Sequence, residues 1–304
     1  MPVDITTVPP HGQFSLAVHG GAGPAPADEE HTAARRDGLT RALLAGRAVL
    51  ERGGAALDAA CAAVVVLEDD PAFNAGVGAA LTRAGTAELD ACVADGATGL
   101  AGAVAVSRHA RNPVLAARAV LERTPHVLLV APGVEWLASV GVDRVSPAHF
   151  VTPERLEALR SSLPDPSSPV LGHGTVGAVA RDRRGGLAAA TSTGGVTGQW
   201  EGRVGDTPVV GAGTWADERV AVSGTGIGEF FLRAALAHDV AARVRWTGAT
   251  LPDAVREAIE EHLVGRGGDG GVIAAGGDGT IVVGYCSAAM LRGYLGADGP
   301  VVVV

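Results

Sequence analysis

Short alanine- and glycine-rich runs that are apolar on both faces constrain this chain most. FSLAVHGG, LAGAVAVS, HVLLVAP, TVGAVARD, LAAATSTGG, ERVAVSG, GGVIAAGG and TIVVGYCS each read as a strand. Several of them have no polar side to turn to solvent, so they must be covered above and below. TVGAVARD and LAAATSTGG flank RRGG, and GGVIAAGG and TIVVGYCS flank GGDGT, so each pair reads as an antiparallel hairpin. That argues against an all-parallel, doubly wound sheet. Between the strands lie segments with apolar recurrence near 3.6. They are EEHTAARRDGLTRALLAGRAVLERGG, ALDAACAAVVVLEDD, PVLAARAVLERT, PERLEALRSSL, EFFLRAALAHDVAARVRW and LPDAVREAIEEHL. The expected architecture is α/β in the mixed, α+β sense, with sheets sandwiched between helix layers.

At 304 residues and 47% hydrophobic composition the chain can build one large filled interior. Its formal charge of -9 and the lack of a basic tract exclude a nucleic-acid surface. No lysine occurs anywhere, so a Walker A phosphate loop and a lysine Schiff base are both excluded. Cys61, Cys92 and Cys286 are far apart and lack CxxC spacing, so they read as buried small residues in a reducing compartment. No basic start followed by an apolar stretch opens the chain, and no run reaches about 18 apolar residues, so neither membrane association nor export is expected. A cytoplasmic location is the expectation. One linker is expected near residues 160 to 174, where prolines and serines crowd together.

Few motifs carry chemistry. There is no GxSxG elbow, HExxH pair or EF-hand loop, and the nine histidines do not cluster at ligand spacing. His19 follows an apolar strand and reads first as a buried, hydrogen-bonded residue; His173 reads as a loop residue with a local structural role. SGTGIGEFF, residues 223 to 231, fits either a glycine loop for an anion or a tight strand-to-helix turn. Either way Thr225 and Gly226 fall near a helix start, where backbone N–H groups meet negative charge. The remaining signal is a concentration of threonine and glycine, with one arginine and one aspartate, through HGTVG, TSTGGVTG, GRVGD and SGTGIGE.

From VHGGAG through FNAGVGAALTRAGTAELDACV to HGTVGAVARD, TSTGG, GRVGDTPVVGAG and SGTGIGE, nearly the whole chain resembles the plant-type asparaginase and isoaspartyl peptidase family. These are N-terminal nucleophile hydrolases, and the resemblance implies their four-layer αββα sandwich. It implies one domain over residues 1 to 304 that cuts itself between Gly174 and Thr175, giving chains 1–174 and 175–304. It also implies Thr175 as nucleophile, Thr193 as its supporting hydroxyl, and Thr225 with the N–H of Gly226 as oxyanion hole. Substrate contacts are implied from Arg203, Val204, Gly205 and Asp206, and from Thr225, Gly226, Ile227 and Gly228. In this scheme Arg203 grips the substrate α-carboxylate and Asp206 its α-ammonium. A threonine hydroxyl needs a base, and an α-amine with a pKa of about 7.7 to 8.0 on the same residue can serve.

Free L-asparagine and a β-aspartyl dipeptide share both α-groups, so one subsite would read both. Residues 67 to 78, LEDDPAFNAGVG, match a loop that in the family can hold sodium through main-chain carbonyls; a glycine-rich loop shaped without metal reads equally well. No cofactor is expected beyond that. The resemblance implies a homodimer of processed αβ units. CSAAM, Cys286 to Met290, and Trp200 with Glu201 depart from the family's usual stretches, toward positions that could border the leaving group. Two other readings stand beside this one: a glycosylasparaginase-like amidohydrolase, and a non-catalytic anion-binding protein on the same fold.

Overall fold

Among the residues that the computed structural model describes, 2–24, 28–162 and 174–304, thirteen strands fall into two sheets. In chain order they are β1 (Asp4–Val8), β2 (Ser15–Gly23), β3 (Leu89–Asp95), β4 (Leu100–Ser107), β5 (Leu128–Val130), β6 (Val176–Arg181), β7 (Leu187–Thr193), β8 (Thr214–Ala216), β9 (Val220–Gly226), β10 (Gly270–Gly276), β11 (Ile281–Tyr285), β12 (Ala289–Gly296) and β13 (Gly299–Val303). The larger sheet runs β13-β12-β2-β6-β7-β3-β4-β5 and the smaller β1-β11-β10-β9-β8. Every pairing is antiparallel except β4 with β5, and both expected hairpins form, with Ala178 opposite Ala190 and Ala274 opposite Val282. The linker expected before Thr175 falls largely outside the described residues, as does His173.

Among the described residues eight α-helices accompany the sheets: α1 (Glu29–Glu51), α2 (Ala56–Glu68), α3 (Pro113–Arg123), α4 (Val134–Ser139), α5 (Pro153–Ser162), α6 (Gly228–Ala234), α7 (Leu236–Ala242) and α8 (Leu251–His262). Period-two alternation decides what each strand face meets. In the larger sheet Leu16, Val18, Val176, Ala178, Ala188 and Ala190 point outward into one core with Leu39, Leu43, Leu50, Val64 and Val120 of α1, α2 and α3. In the smaller sheet Val220, Val222, Val272 and Ala274 meet Val240, Val255 and Ile259 of α7 and α8. The inner faces meet each other through Ala17, Val179, Ala189, Ala221, Ile273, Ala275 and Val283. Small residues dominate this middle layer, and close approach of the sheets follows. A Cβ at Gly177 would lie 2.1 Å from Ser223 Oγ and 2.4 Å from His19 Nε2.

The segment EFFLRAALAHDVAARVRW is not one helix. Ala235 takes φ 48°, which breaks the run between α6 and α7, and the chain after Ala242 winds into a wider turn through Thr247. Strands β1, β3, β8, β12 and β13 have no counterpart among the expected runs. β3 carries Asp90 inside LDACVAD, and β8 is three residues long. No helix among the described residues is long and apolar enough to cross a membrane.

Candidate active site

Alternation also places the chemistry. Thr175 precedes β6 by one residue and shares the inward parity of Gly177 and Val179; Thr191 and Thr193 share the inner face of β7 with Ala189. On the opposing sheet Ser223 and Thr225 share the inner face of β9 with Ala221. The threonines and glycines singled out in the sequence therefore converge at one end of the layer between the sheets.

Gly174 and Thr175 are joined there, with Thr175 buried. The Thr175 hydroxyl donates to Thr193 Oγ1 at 3.2 Å, and the Thr193 hydroxyl donates to the Gly174 carbonyl at 3.1 Å. Gly195 N–H donates to Thr193 Oγ1 at 3.1 Å and fixes it. A second donor on the Gly174 carbonyl is Asn74 Nδ2, at 2.8 Å. Asn74 is itself locked, since Nδ2 also donates to the Gly195 carbonyl at 2.7 Å and Oδ1 accepts from Ala80 N–H at 2.7 Å. The carbonyl before Thr175 thus has two oriented donors, the arrangement that stabilises negative charge on a carbonyl oxygen.

His19 occupies the other side of Thr175. It is fully buried, and burial pushes its pKa down to about 3, against the opposing effect of its bond to Thr175, so the ring is neutral. Its Nδ1 lies 2.8 Å from the Thr175 carbonyl and its Nε2 2.9 Å from Ser223 Oγ. With a carbonyl as partner, Nδ1 must carry the proton and Nε2 accepts from the serine. Gly21, at φ +118°, lets this stretch pass close to the scissile bond: a Cβ there would sit 3.1 Å from the Gly174 Cα. The next residue, Ala22, donates its N–H to Thr225 Oγ1 at 3.2 Å, which ties Thr225 to the same spot. Gly226, at φ +146°, leaves no room for a side chain beside the Asp269 carbonyl.

A cluster of charged side chains lies alongside. Asp206 stacks on Gly213, whose carbonyl accepts from Gly224 N–H at 2.8 Å, one residue before Thr225. Gly228 lies between the charges: a Cβ there would be 2.7 Å from Asp206 Oδ1 and 3.1 Å from Arg203 Nη2. Burial pushes the Asp206 pKa up to about 6, with Arg203 pulling the other way. Its Oδ2 is buried and has no hydrogen-bond partner among the described residues. Such an oxygen is costly unless a donor arrives. Arg203 is held by Glu229, its Nε and Nη2 donating to Oε1 at 3.1 and 3.0 Å, and Nη1 has no hydrogen-bond partner among the described residues. Gly205 N–H reaches Asp90 Oδ2 at 3.4 Å and Ile227 N–H donates to the Asp269 carbonyl at 2.9 Å, while Val204 makes no polar contact through its side chain.

The structure brings Thr175, Thr193 and Thr225 together between the sheets and sets Arg203, Asp206 and Gly228 beside one another. The helix-start expectation at Thr225 is weakened, because α6 begins only at Gly228 and spans seven residues. Asn74, Glu229 and Asp90 were not singled out from the sequence. Asn74 stands inside FNAGVG, but nothing local says that this loop returns to a carbonyl 100 residues away. The two family departures separate: Trp200 is exposed with the Arg83 guanidinium 4.4 Å over its ring, whereas Cys286 packs behind Gly270, the strand partner of Gly226. All three cysteines are free and buried.

Two facing sheets, helices on both outer faces and threonines gathered between the sheets define the N-terminal nucleophile hydrolase fold, and the chain is a hydrolase of that class. A protein-family model described as Asparaginase matches residues 12–303, and the chain belongs to that family. It is 49% identical to the isoaspartyl peptidase of Salmonella typhimurium over 92% of this chain and 95% of that one. Identity is 45% to the isoaspartyl peptidase of Escherichia coli, over 94% of each chain. It is 37% to a probable isoaspartyl peptidase/L-asparaginase of Arabidopsis thaliana, over 95% of this chain and 97% of that one.

Proposed function

We propose that the chain cuts itself between Gly174 and Thr175 and then hydrolyses the side-chain amide of L-asparagine and the isopeptide bond of β-aspartyl dipeptides. One observation carries this reading: the carbonyl before Thr175 already has Asn74 and Thr193 as donors while the Thr175 hydroxyl rests on Thr193. In the first step Thr175 Oγ attacks the Gly174 carbonyl carbon, the C–N bond breaks, and the hydroxyl proton ends on the freed α-amine. Water then hydrolyses the ester, leaving a carboxylate on Gly174 and separate chains 1–174 and 175–304 of one domain. Asn74→Ala removes one donor from the developing oxyanion, which typically costs about 100- to 1,000-fold. Its self-cleavage, followed by gel over time, should slow by that order, while Thr175 remains in place.

In the mature site the α-amine of Thr175 takes up the hydroxyl proton as base, and Thr193 supports the same oxygen. The substrate carbonyl becomes an ester on Thr175, ammonia or an amino acid leaves with a proton, and water releases aspartate. Thr225 and Gly226 N–H are the donors assigned to that second oxyanion. The unpartnered Asp206 Oδ2 fits an α-ammonium and the uncommitted Nη1 of Arg203 an α-carboxylate. The names of the relatives in Salmonella and Escherichia support the peptidase activity, and that in Arabidopsis both activities. Hydrolysis of asparagine and of several β-aspartyl dipeptides, with no turnover of α-aspartyl isomers, is the expected result; release of amino acid from the α-linked isomers at a similar rate contradicts it.

No cofactor enters these steps. A Cβ would lie 2.1 Å from the Glu68 carbonyl at Gly76 and 2.0 Å from the Phe73 carbonyl at Gly78, so both turns need glycine; a sodium ion held by main-chain carbonyls of residues 67–78 is part of the proposal. Such an ion would brace the loop carrying Asn74. Pairing of two processed units and a cytoplasmic location complete the proposal.

A further inference from the structure

A cavity of about 150 Å³ opens beside the scissile bond, with Gly21, Asn74 and Gly174 in its wall together with Arg35 of α1 and Arg155 of α5. Neither guanidinium has a hydrogen bond or ion pair among the described residues. The contrast on α1 is plain, since Arg41 pairs with both Asp37 and Asp70. Both side chains are only half exposed. Burial pulls the pKa of each below the ordinary arginine range, and the charge of Arg35 adds to the effect on Arg155. Asp28 acts on Arg35 and Glu154 on Arg155 only through space, so two like charges face one cavity with no carboxylate in contact among the described residues, and a carboxylate between them would be favoured.

The self-cleavage proposed above, on which this inference rests, makes such a group at this wall. It consumes one water, breaks the Gly174–Thr175 C–N bond, and yields the Gly174 α-carboxylate and the Thr175 α-ammonium. We propose that Arg35 and Arg155 form a carboxylate-binding subsite that captures the new α-carboxylate of Gly174 once the chain is cut. Capture draws the terminus away from the Thr175 hydroxyl, opposes its re-esterification, and leaves the nucleophile open to substrate. The same chemistry has a second source, the free α-carboxylate of the amino acid leaving from a β-aspartyl dipeptide, and the test separates the two.

Mature parent protein and the double variant Arg35→Gln/Arg155→Gln are treated with a carboxypeptidase, and loss of Gly174 from the 1–174 chain is followed by intact mass. A captured terminus resists trimming, so Gly174 should be lost at least about tenfold faster from the double variant. Arg35→Lys/Arg155→Lys keeps both charges and should retain most of the protection. In parallel, kcat/KM is compared for β-aspartyl-leucine and β-aspartyl-leucinamide, and their ratio should not change. Equal trimming in parent and Gln variant overturns the proposal; if the ratio falls as well, the pair reads the leaving amino acid instead. A gel run before the protease is added keeps the two proposals apart, because a parent chain that stays uncut fails the self-cleavage reading and this one with it. Should the double variant lose its cooperative melt, Arg155→Gln alone carries the same comparison.

Discussion

Thr175→Ala should run as a single uncut chain and hydrolyse neither asparagine nor a β-aspartyl dipeptide above the assay background. The substitution removes the one oxygen that both steps need. It leaves Asn74, Thr193 and the Gly174 carbonyl where they are, so loss of function should come without loss of fold. A small void in a buried site costs on the order of 1 kcal/mol, and a melting curve should register little more. Thr175→Ser keeps the oxygen but drops the methyl group that restricts χ1, so it should cut slowly where Ala does not cut at all. Activity retained by Thr175→Ala would move the nucleophile elsewhere, and Ser223 and Thr191, hydrogen-bonded to each other at 2.7 Å in the same layer, would be the next hydroxyls to test.

Arg203→Ala should separate maturation from turnover. The precursor's own backbone offers neither a free α-carboxylate nor a free α-ammonium, and Arg203 makes no contact with Gly174 or Thr175; its bonds go to Glu229. Self-cleavage should therefore proceed. Hydrolysis of asparagine should fall sharply, because truncating one partner of a buried charge pair costs roughly 2 to 5 kcal/mol, tens to thousands of fold. The pH dependence gives a second handle. With its pKa raised to about 6, Asp206 is a carboxylate above that pH and protonates below it, so the KM for asparagine should climb as pH falls through about 6. Arg203 favours the charged form of Asp206, so its removal should shift that midpoint upward. N-acetylasparagine, lacking the ammonium, should be poor for the parent and lose part of its disadvantage in Asp206→Ala. A mature Arg203→Ala enzyme with parental kinetics would remove Arg203 from substrate recognition.

The layered fold was legible because the runs around Ala178, Ala189 and Ile273 are apolar at every position, which only a strand covered on both faces tolerates. What escaped was short or masked by polar residues: β8 has three residues, and β3 buries Asp90 against the N–H of Val106 and Gly205. Ala235 breaks a helical pattern that periodicity reads as continuous, because a left-handed alanine leaves no local mark. The threonines and the Arg203–Asp206 pair were singled out through family resemblance, and alternation accounts for the inward face that Thr191, Thr193, Ser223 and Thr225 share. Asn74, Glu229 and the Arg35–Arg155 pair were not, since each acquires meaning only from a partner brought near by the fold. His19 was rightly expected to be buried and hydrogen-bonded, yet its bond is to the carbonyl of Thr175 itself.

N-terminal sequencing of the purified protein, with intact masses of whatever chains it contains, tests the central claim most directly. Two chains are expected, the second opening Thr-Val-Gly-Ala at Thr175 and the first ending at Gly174. One full-length chain after long incubation, or a new terminus at any other residue, contradicts the assignment of Thr175 as the self-cleaving nucleophile.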